Sequence, residues 1–312
     1  MTGTAIVFTE DKKSLPALIT AATDTKASEI NVVLIGREVD KEFAKSLGKY
    51  GANKVLICEG ENLDKITSKG YADILLGVIK ELNPEFIVIM GTLIGNEVAA
   101  LVGSELDASI SIETLKIESL EDGLYVTRSI YGGKLTQKAK LLEEKKIIVL
   151  TPGAYEEKEV GGEAEIIQKE LPQLGEEVKL VEKEEIKGKG KPLEEAEIVI
   201  GVGRGIKQKE DLQMIYELAQ LLNAEVGCTR PLAADYGWFD DWIGVSGKRI
   251  SPKLYLLIGA SGSVQHIAGA RGSKLIIAIN KDGEAPIYEE ADYLFVADLY
   301  QLVPEIIKQL KK

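Results

Sequence analysis

The residues best suited to chemistry form a run near the C-terminal end, Gly259-Ala260-Ser261-Gly262-Ser263-Val264-Gln265-His266. It follows an apolar strand pattern, Leu254 to Ile258, and leads into a short helix. Glycine lets a backbone approach a ligand closely and take up unusual dihedrals. N–H groups at the start of the helix have no partner within it, so they can meet an anion or a carbonyl. Two more strand patterns end in polar residues: Lys274 to Ile279 runs into Asn280-Lys281-Asp282, and Tyr293 to Ala297 into Asp298. Open α/β sheets bind ligands at such strand ends. At about 100° per residue, Val264, Ile267 and Ala268 share a core-directed face. Gln265 and His266 fall outside that face, and either face solvent or meet a ligand above the strands.

Other segments carry partial signals. Gly201-Val202-Gly203-Arg204-Gly205 is GxGxG, not the dinucleotide GxGxxG, and no ribose-binding acid stands at the expected distance. Gly91 to Glu97 lacks the Lys and Ser/Thr of a P-loop and reads as a tight turn. Thr229-Arg230-Pro231 follows a short strand, Glu225 to Cys228, with Pro231 opposing an immediate helix. Asp235 to Ile250 is an aromatic loop whose Trp238, Phe239 and Trp242 either plug the edge of the core or face a flat ring or a partner. One histidine supplies no Ser/His/Asp set, and with two distant cysteines leaves too few ligands for a Cys/His zinc or iron–sulfur site.

Alternating elements must position these groups. Thr4 to Phe8, Asn31 to Ile35, Lys54 to Cys58 and Phe86 to Met90 read as buried strands. Amphipathic stretches at Leu15–Ala22, Lys41–Lys49 and Tyr71–Leu82 separate them, and Val98 to Val102 reads as a further helix. The alternation predicts a mostly parallel sheet with helices on both faces. From Ala108 onward, Ile110–Glu118, Gly123–Ser129, Tyr131–Lys134 and Lys146–Leu150 predict an antiparallel extension, which Ala164–Glu170 and Val178–Ile186 close. Arg128 and Tyr131 belong to a surface hairpin or to an edge that meets a partner. The charged, glycine-interrupted segment ending at Glu195 reads as a linker. The fold class is therefore α/β in two domains: 1–185, a linker at 186–195, and 196–312. In the second domain Ala196 to Val202 is the first strand, and Leu212, Ile215, Leu218, Ala219 and Leu222 form the core face of a helix. The last helix pattern contains Pro304, so that helix starts near it or kinks there.

With 312 residues and 45% hydrophobic content the chain can bury two cores. Its net charge of −12 excludes a general nucleic-acid or anionic-membrane binder. Cysteine usage suits a reducing compartment. No apolar run approaches the ~20 residues of a membrane span, and Met1 passes straight into a strand pattern without a signal peptide, so a cytoplasmic location is expected.

Ser261 to His266, Ala278-Ile279-Asn280-Lys281-Asp282, Glu284-Ala285-Pro286-Ile287 and Ala291-Asp292-Tyr293 together resemble the signature of the electron transfer flavoprotein alpha subunit. The likeness extends from about Val199 onward, and the N-terminal half shares the family's pattern. The resemblance implies a Rossmann-like (DHS-like) FAD-binding domain at the C-terminal end and an N-terminal domain that contacts a beta subunit. It implies Arg204 near the pyrophosphate or flavin, and Thr229 and Arg230 at the isoalloxazine. Ile243-Gly244-Val245-Ser246 matches a second family motif, with the Ser246 hydroxyl at flavin N5. His266 would face the C2 carbonyl, and Ser261, Gly262, Ser263, Val264 and Gln265 the pyrophosphate and ribityl chain. Asn280, Asp298 and Leu299 would meet the adenosine. Arg230 as a positive charge, and His266 as a donor or a positive charge, would stabilise electron density on the ring.

On this resemblance the chain is an electron carrier and not a substrate-converting enzyme. It would pair with a beta subunit as a heterodimer and carry electrons on FAD from acyl-CoA-type dehydrogenases, as in fatty acid beta-oxidation. The acceptor would be a membrane-associated quinone oxidoreductase. Two departures, the loop from Pro231 to Trp242 and Val245 in place of a common glutamine, bring it nearer to relatives that bifurcate electrons to ferredoxin or flavodoxin with NADH. A non-redox module holding NAD or another nucleotide is the alternative of a different class, and Arg230, Ser246 and His266 oppose it.

Overall fold

The computed structural model describes residues 3–172, 174, 180–182 and 191–312. The chain divides into two compact units, Met1–Glu184 and Glu185–Lys312. Both are α/β. Part of the predicted linker, and most of the predicted Val178–Ile186 strand, lie outside the described residues.

Nine strands form the first unit's sheet among the described residues. They are β1 (Thr4–Phe8), β2 (Glu29–Gly36), β3 (Lys54–Glu59), β4 (Phe86–Met90), β5 (Ser109–Leu120), β6 (Gly123–Ile130), β7 (Leu135–Leu141), β8 (Lys146–Leu150) and β9 (Glu165–Lys169). Their order is β7-β6-β5-β8-β4-β1-β2-β3-β9. The central strands are short Val/Ile runs buried on both faces, as parallel strands between helices must be. Helices α1 (Leu15–Thr23), α2 (Lys41–Ser46), α3 (Ser68–Leu82) and α4 (Leu93–Leu106) connect the strands. Side chains of Asp40, Thr67 and Thr92 cap the first turns of the last three by accepting from backbone N–H groups.

Three expectations change here. The antiparallel extension is confined to β5, β6 and β7, because β8 inserts parallel between β4 and β5 and β9 adds parallel to β3. Tyr131–Gly133 is a turn, not strand, with positive φ at Tyr131, Gly132 and Gly133. The third change, in the last helix, belongs to the second unit.

Among its described residues, that unit holds five parallel strands in the order β11-β10-β12-β13-β14. They are β10 (Ile198–Val202), β11 (Glu225–Cys228), β12 (Leu254–Ile258), β13 (Ile276–Asn280) and β14 (Tyr293–Val296). Helices α5 (Leu212–Leu222) and α7 (Leu299–Leu310) pack on one face through Leu212, Ile215, Leu218, Val303 and Ile307. Helix α6 (Val264–Ile267) and the loop residues Ile243 and Ile250 pack on the other with Tyr255. Helix α7 begins five residues before Pro304, capped by the Asp298 carboxylate that accepts from Tyr300 N–H, and runs through the proline. Among the described residues, no helix is long and apolar enough to cross a membrane.

Strand order reverses between β10 and β12, which is where an open sheet parts its connections and leaves a crevice. The GxGxG run lines that place for steric reasons. A Cβ on Gly203 would lie 2.4 Å from the Ala260 Cβ, and one on Gly205 2.7 Å from the Gly259 Cα. The two strand ends are tied by Gly203 N–H to the Ile258 carbonyl (3.1 Å) and Gly205 N–H to the Gly259 carbonyl (2.7 Å). Gly205→Ala is therefore expected to destabilise this unit by about 2 kcal/mol. Both tryptophans of the chain, Trp238 and Trp242, lie in it, so their fluorescence in a denaturant titration measures the change.

Candidate functional site

At the carboxyl ends of β10, β12, β13 and β14 lies a cleft of about 480 Å³. That volume falls within the range of cofactor and small-molecule pockets. Its floor is the turn after β12, where Gly259 (φ 62°) and Gly262 (φ 71°) hold left-handed backbone that suits glycine. A side chain on Gly262 would strike Ile287. Ala260, Ser261, Gly262 and Ser263 line the cleft, and among the described residues none of their N–H groups is bonded to another group. Unpartnered donors over a concave floor fit a phosphate or another anion. Arg204 and Lys207 on one wall and Lys281 on another add positive charge. Asp282 and Asp298 supply acceptors at the far end.

Nine of the sixteen predicted binding residues line this cleft: Arg204, Thr229, Ser261, Gly262, Ser263, His266, Asn280, Asp298 and Leu299. Asn280 also serves the fold. Its Nδ2 donates to the Ala260 carbonyl (2.8 Å) and its Oδ1 accepts from Asp282 N–H (3.0 Å), which pins the turn. Arg230, Ile243, Gly244, Val245, Ser246, Val264 and Gln265 lie outside the lining. The loop that carries Ile243 to Ser246 is nevertheless tied to α6, by Val245 N–H donating to the Gln265 carbonyl (2.9 Å). Gly244 is closed against the same carbonyl, with φ 154° and room for no Cβ. Val245 and Ser246 are exposed. Arg230 is exposed too, its guanidinium carbon 5.8 Å from the centre of the Trp242 ring.

The expected orientation of α6 is corrected. Val264, read as core, is 42% exposed, whereas His266, read as outside the core face, is only 4% exposed. A single-turn helix need not follow the stripe of a long one, and this one presents His266 and Ile267 inward. Both imidazole nitrogens are used internally. A carbonyl can only accept, so Nδ1–H donates to Ile243 O (2.9 Å), and Nε2 accepts from the Tyr255 hydroxyl (2.7 Å). Burial pushes the His266 pKa down to about 4. The expectation that Pro231 opposes a helix is also revised. Pro231–Asp235 forms a wide helical turn, with the proline at its first position, where it loses no needed donor.

Sequence reasoning missed Tyr255, Lys207 and Tyr300. The Tyr300 hydroxyl donates to Asp211 (2.6 Å) and accepts from Lys207 N–H (2.8 Å), while the Lys207 ammonium lies 5.1 Å over its ring. Only the phenol inside the apolar β12 run signalled Tyr255. No local pattern joins Lys207 to Tyr300.

Comparison with known proteins adds family context. Residues 192–271 match the family described as "Electron transfer flavoprotein FAD-binding domain", and residues 12–174 match "Electron transfer flavoprotein domain". The chain is 34% identical over 301 residues to the electron transfer flavoprotein subunit alpha of Bacillus subtilis (strain 168), covering 95% of this chain and 92% of that one. It is 30% identical over 297 residues to the protein FixB of Clostridium saccharobutylicum, covering 93% and 88%. It is 33% identical over 294 residues to lactate dehydrogenase (NAD(+),ferredoxin) subunit LctC of Acetobacterium woodii, covering 90% of this chain and 69% of that one.

The buried imidazole makes stability depend on pH. Its folded pKa lies below the ordinary 6.5, so the unfolded chain binds a proton first as pH falls. Stability from this group is complete above about pH 6.5 and declines toward pH 4, by about 3 kcal/mol in all. Tryptophan-monitored unfolding should lose that component of its pH slope in His266→Gln, whose amide is polar and does not titrate.

Proposed function

The chain belongs to the electron transfer flavoprotein alpha-subunit family, and from that premise we propose that it holds FAD in the cleft of its second unit and relays electrons as half of a heterodimer with a beta subunit. The observation that carries this reading is the cleft itself. Unpartnered N–H groups of Ala260 to Ser263 stand opposite Arg204 at the switch point of a parallel sheet. In this reading those groups and Arg204 hold the pyrophosphate. Asn280, Asp298 and Leu299 bound the adenosine end, with Asp298 free to accept through the carboxylate oxygen that does not cap α7. Thr229, Arg230, Val245 and Ser246 surround the ring end, where Ile243 and Gly244 fix the loop against α6 together with Val264 and Gln265.

Bound flavin supplies the reversible uptake of electrons. The chain's own contribution is position and field. The planar Arg230 guanidinium can stabilise negative charge on a reduced ring. Its lean over Trp242 keeps the guanidinium beside the loop that carries Ser246. His266 holds its proton on Nδ1 and contributes shape and polarity rather than charge. The electron donor is proposed to be an acyl-CoA-type dehydrogenase and the acceptor a quinone oxidoreductase.

A second reading, bifurcation between NADH and ferredoxin or flavodoxin, is favoured by the similarity to the LctC subunit, whose name specifies NAD and ferredoxin. The two readings differ in what the partner carries. Coexpression with the beta subunit and extraction of nucleotides should give FAD, with one FAD and AMP per heterodimer for the simple carrier and two FAD for the bifurcating form. A colourless complex that binds only NAD would overturn both in favour of a nucleotide-binding regulatory module. Arg230→Ala should keep the fold and lower the flavin's reduction potential, by roughly 1–2 kcal/mol of lost stabilisation. Potentiometric titration measures it, and an unchanged potential removes Arg230 from the ring.

A further inference from the structure

On the wall of the cleft, His266 belongs to a buried chain of three groups: the Tyr255 hydroxyl, the His266 imidazole and the Ile243 carbonyl. Tyr255, the second residue of β12, is fully buried. Its phenol leans along the sheet toward β10 and ends where a Gly201 side chain would stand, since a Cβ there would come within 2.0 Å of the hydroxyl oxygen. A glycine inside a central strand is unfavourable for the strand itself. Here its absence of a side chain seats the phenol so that O–H reaches Nε2. On the opposite side of the ring, the Ile243 carbonyl is held by its own residue's N–H, which donates to the Cys228 carbonyl (2.9 Å). The acceptor is therefore fixed by β11, and the donor by β12 and β10.

We infer that Tyr255 is a positioning residue: its hydroxyl occupies Nε2 and holds His266 as the uncharged tautomer with the proton on Nδ1, so that this wall of the cleft presents no positive charge to a bound ring. The inference deepens the reading of the cleft as a flavin site and rests on it for its redox consequence, but the state of His266 is a property of the chain alone. Hydrogen-bond logic carries it. With a carbonyl on Nδ1 and a hydroxyl on Nε2, a neutral imidazole satisfies every partner, whereas an imidazolium would force the phenol to act as acceptor inside an apolar core. The titratable group that bears on Tyr255 is Cys228, at the end of β11. Burial pushes the Cys228 thiol up to about 12, so it carries no charge across the working range. Among the described residues no charged side chain is hydrogen-bonded to His266. Positive charge at the ring end is then left to Arg230. With phenylalanine at 255, Nε2 would be buried without a donor and free to take a proton.

His266 is the only histidine of the chain, so 15N-histidine labelling of the untagged full chain gives one imidazole to follow. In the wild type, the signals should report a neutral ring protonated on Nδ1, with no titration above about pH 5. Tyr255→Phe should move the titration midpoint upward by about one pH unit or more. In the FAD-loaded complex with the beta subunit, the same variant should raise the flavin potential at low pH and add to the pH dependence that proton uptake by the ring itself gives between pH 5 and 8. If Tyr255→Phe leaves the unit unfolded, 3-fluorotyrosine at position 255 keeps the fold, and its more acidic hydroxyl should shift the Nε2 signal. A wild-type ring that titrates near 6.5, or carries its proton on Nε2, overturns the inference. So does a variant whose titration and Nε2 signal match the wild type. Failure to bind FAD would sink the functional reading alone, because the NMR comparison needs no flavin.

Discussion

The second unit depends on one close approach, that of the β10 and β12 ends through Gly203, Gly205, Gly259 and Ala260. Backbone meets backbone there with no room for a Cβ on Gly203 or Gly205. The contact sets the height of the turn after β12, and with it the direction of the N–H groups from Ala260 to Ser263. Asn280 then locks the turn from the next strand by donating to the Ala260 carbonyl. The cleft is thus the visible side of a packing constraint. A larger residue at any of these glycines acts on the fold before it acts on a ligand.

Around that floor the chain separates two electrostatic tasks. Fixed cations, Arg204, Lys207 and Lys281, surround the part of the cleft suited to an anion, although the chain as a whole carries a charge of −12. Near the loop that carries Ser246, the guanidinium of Arg230 supplies charge and the buried imidazole of His266 supplies none. A guanidinium beside an imidazole that is held neutral keeps His266 from adding a charge that varies with proton concentration. For a carrier of electrons, such an arrangement leaves the ring's own proton uptake as the coupling between redox and acid–base equilibria.

Much of this was readable from the residues because each parallel strand is an unbroken apolar run and each cleft segment directly follows one. Val/Ile runs such as Phe86–Met90 announced themselves, as did the polar ends at Ser261, Asn280 and Asp298. Strand partners were harder. Lys146–Leu150 looks like any other strand, and only the assembled sheet shows that it slips between β4 and β5. Helix α6 misled because four residues do not define a periodic stripe, so His266 and Val264 exchanged their expected places. The GxGxG spacing has a reason in packing that the residues alone do not show. It resembles a nucleotide fingerprint, yet Gly201 answers to the Tyr255 hydroxyl, Gly203 to Ala260 and Gly205 to Gly259. Contacts such as Lys207 with Tyr300 join residues far apart in sequence and leave no trace in any local pattern.

The unpartnered N–H groups of the β12 turn have a consequence for the life of the molecule. Donors that find no acceptor among the described residues must be served by water or by an anion that docks there. Whatever docks favours the folded form by mass action, so the balance between intact and opened chains follows the supply of that anion. Scarcity would show itself first as faster turnover of the polypeptide by proteases that act on opened chains, before any change in its rate of synthesis.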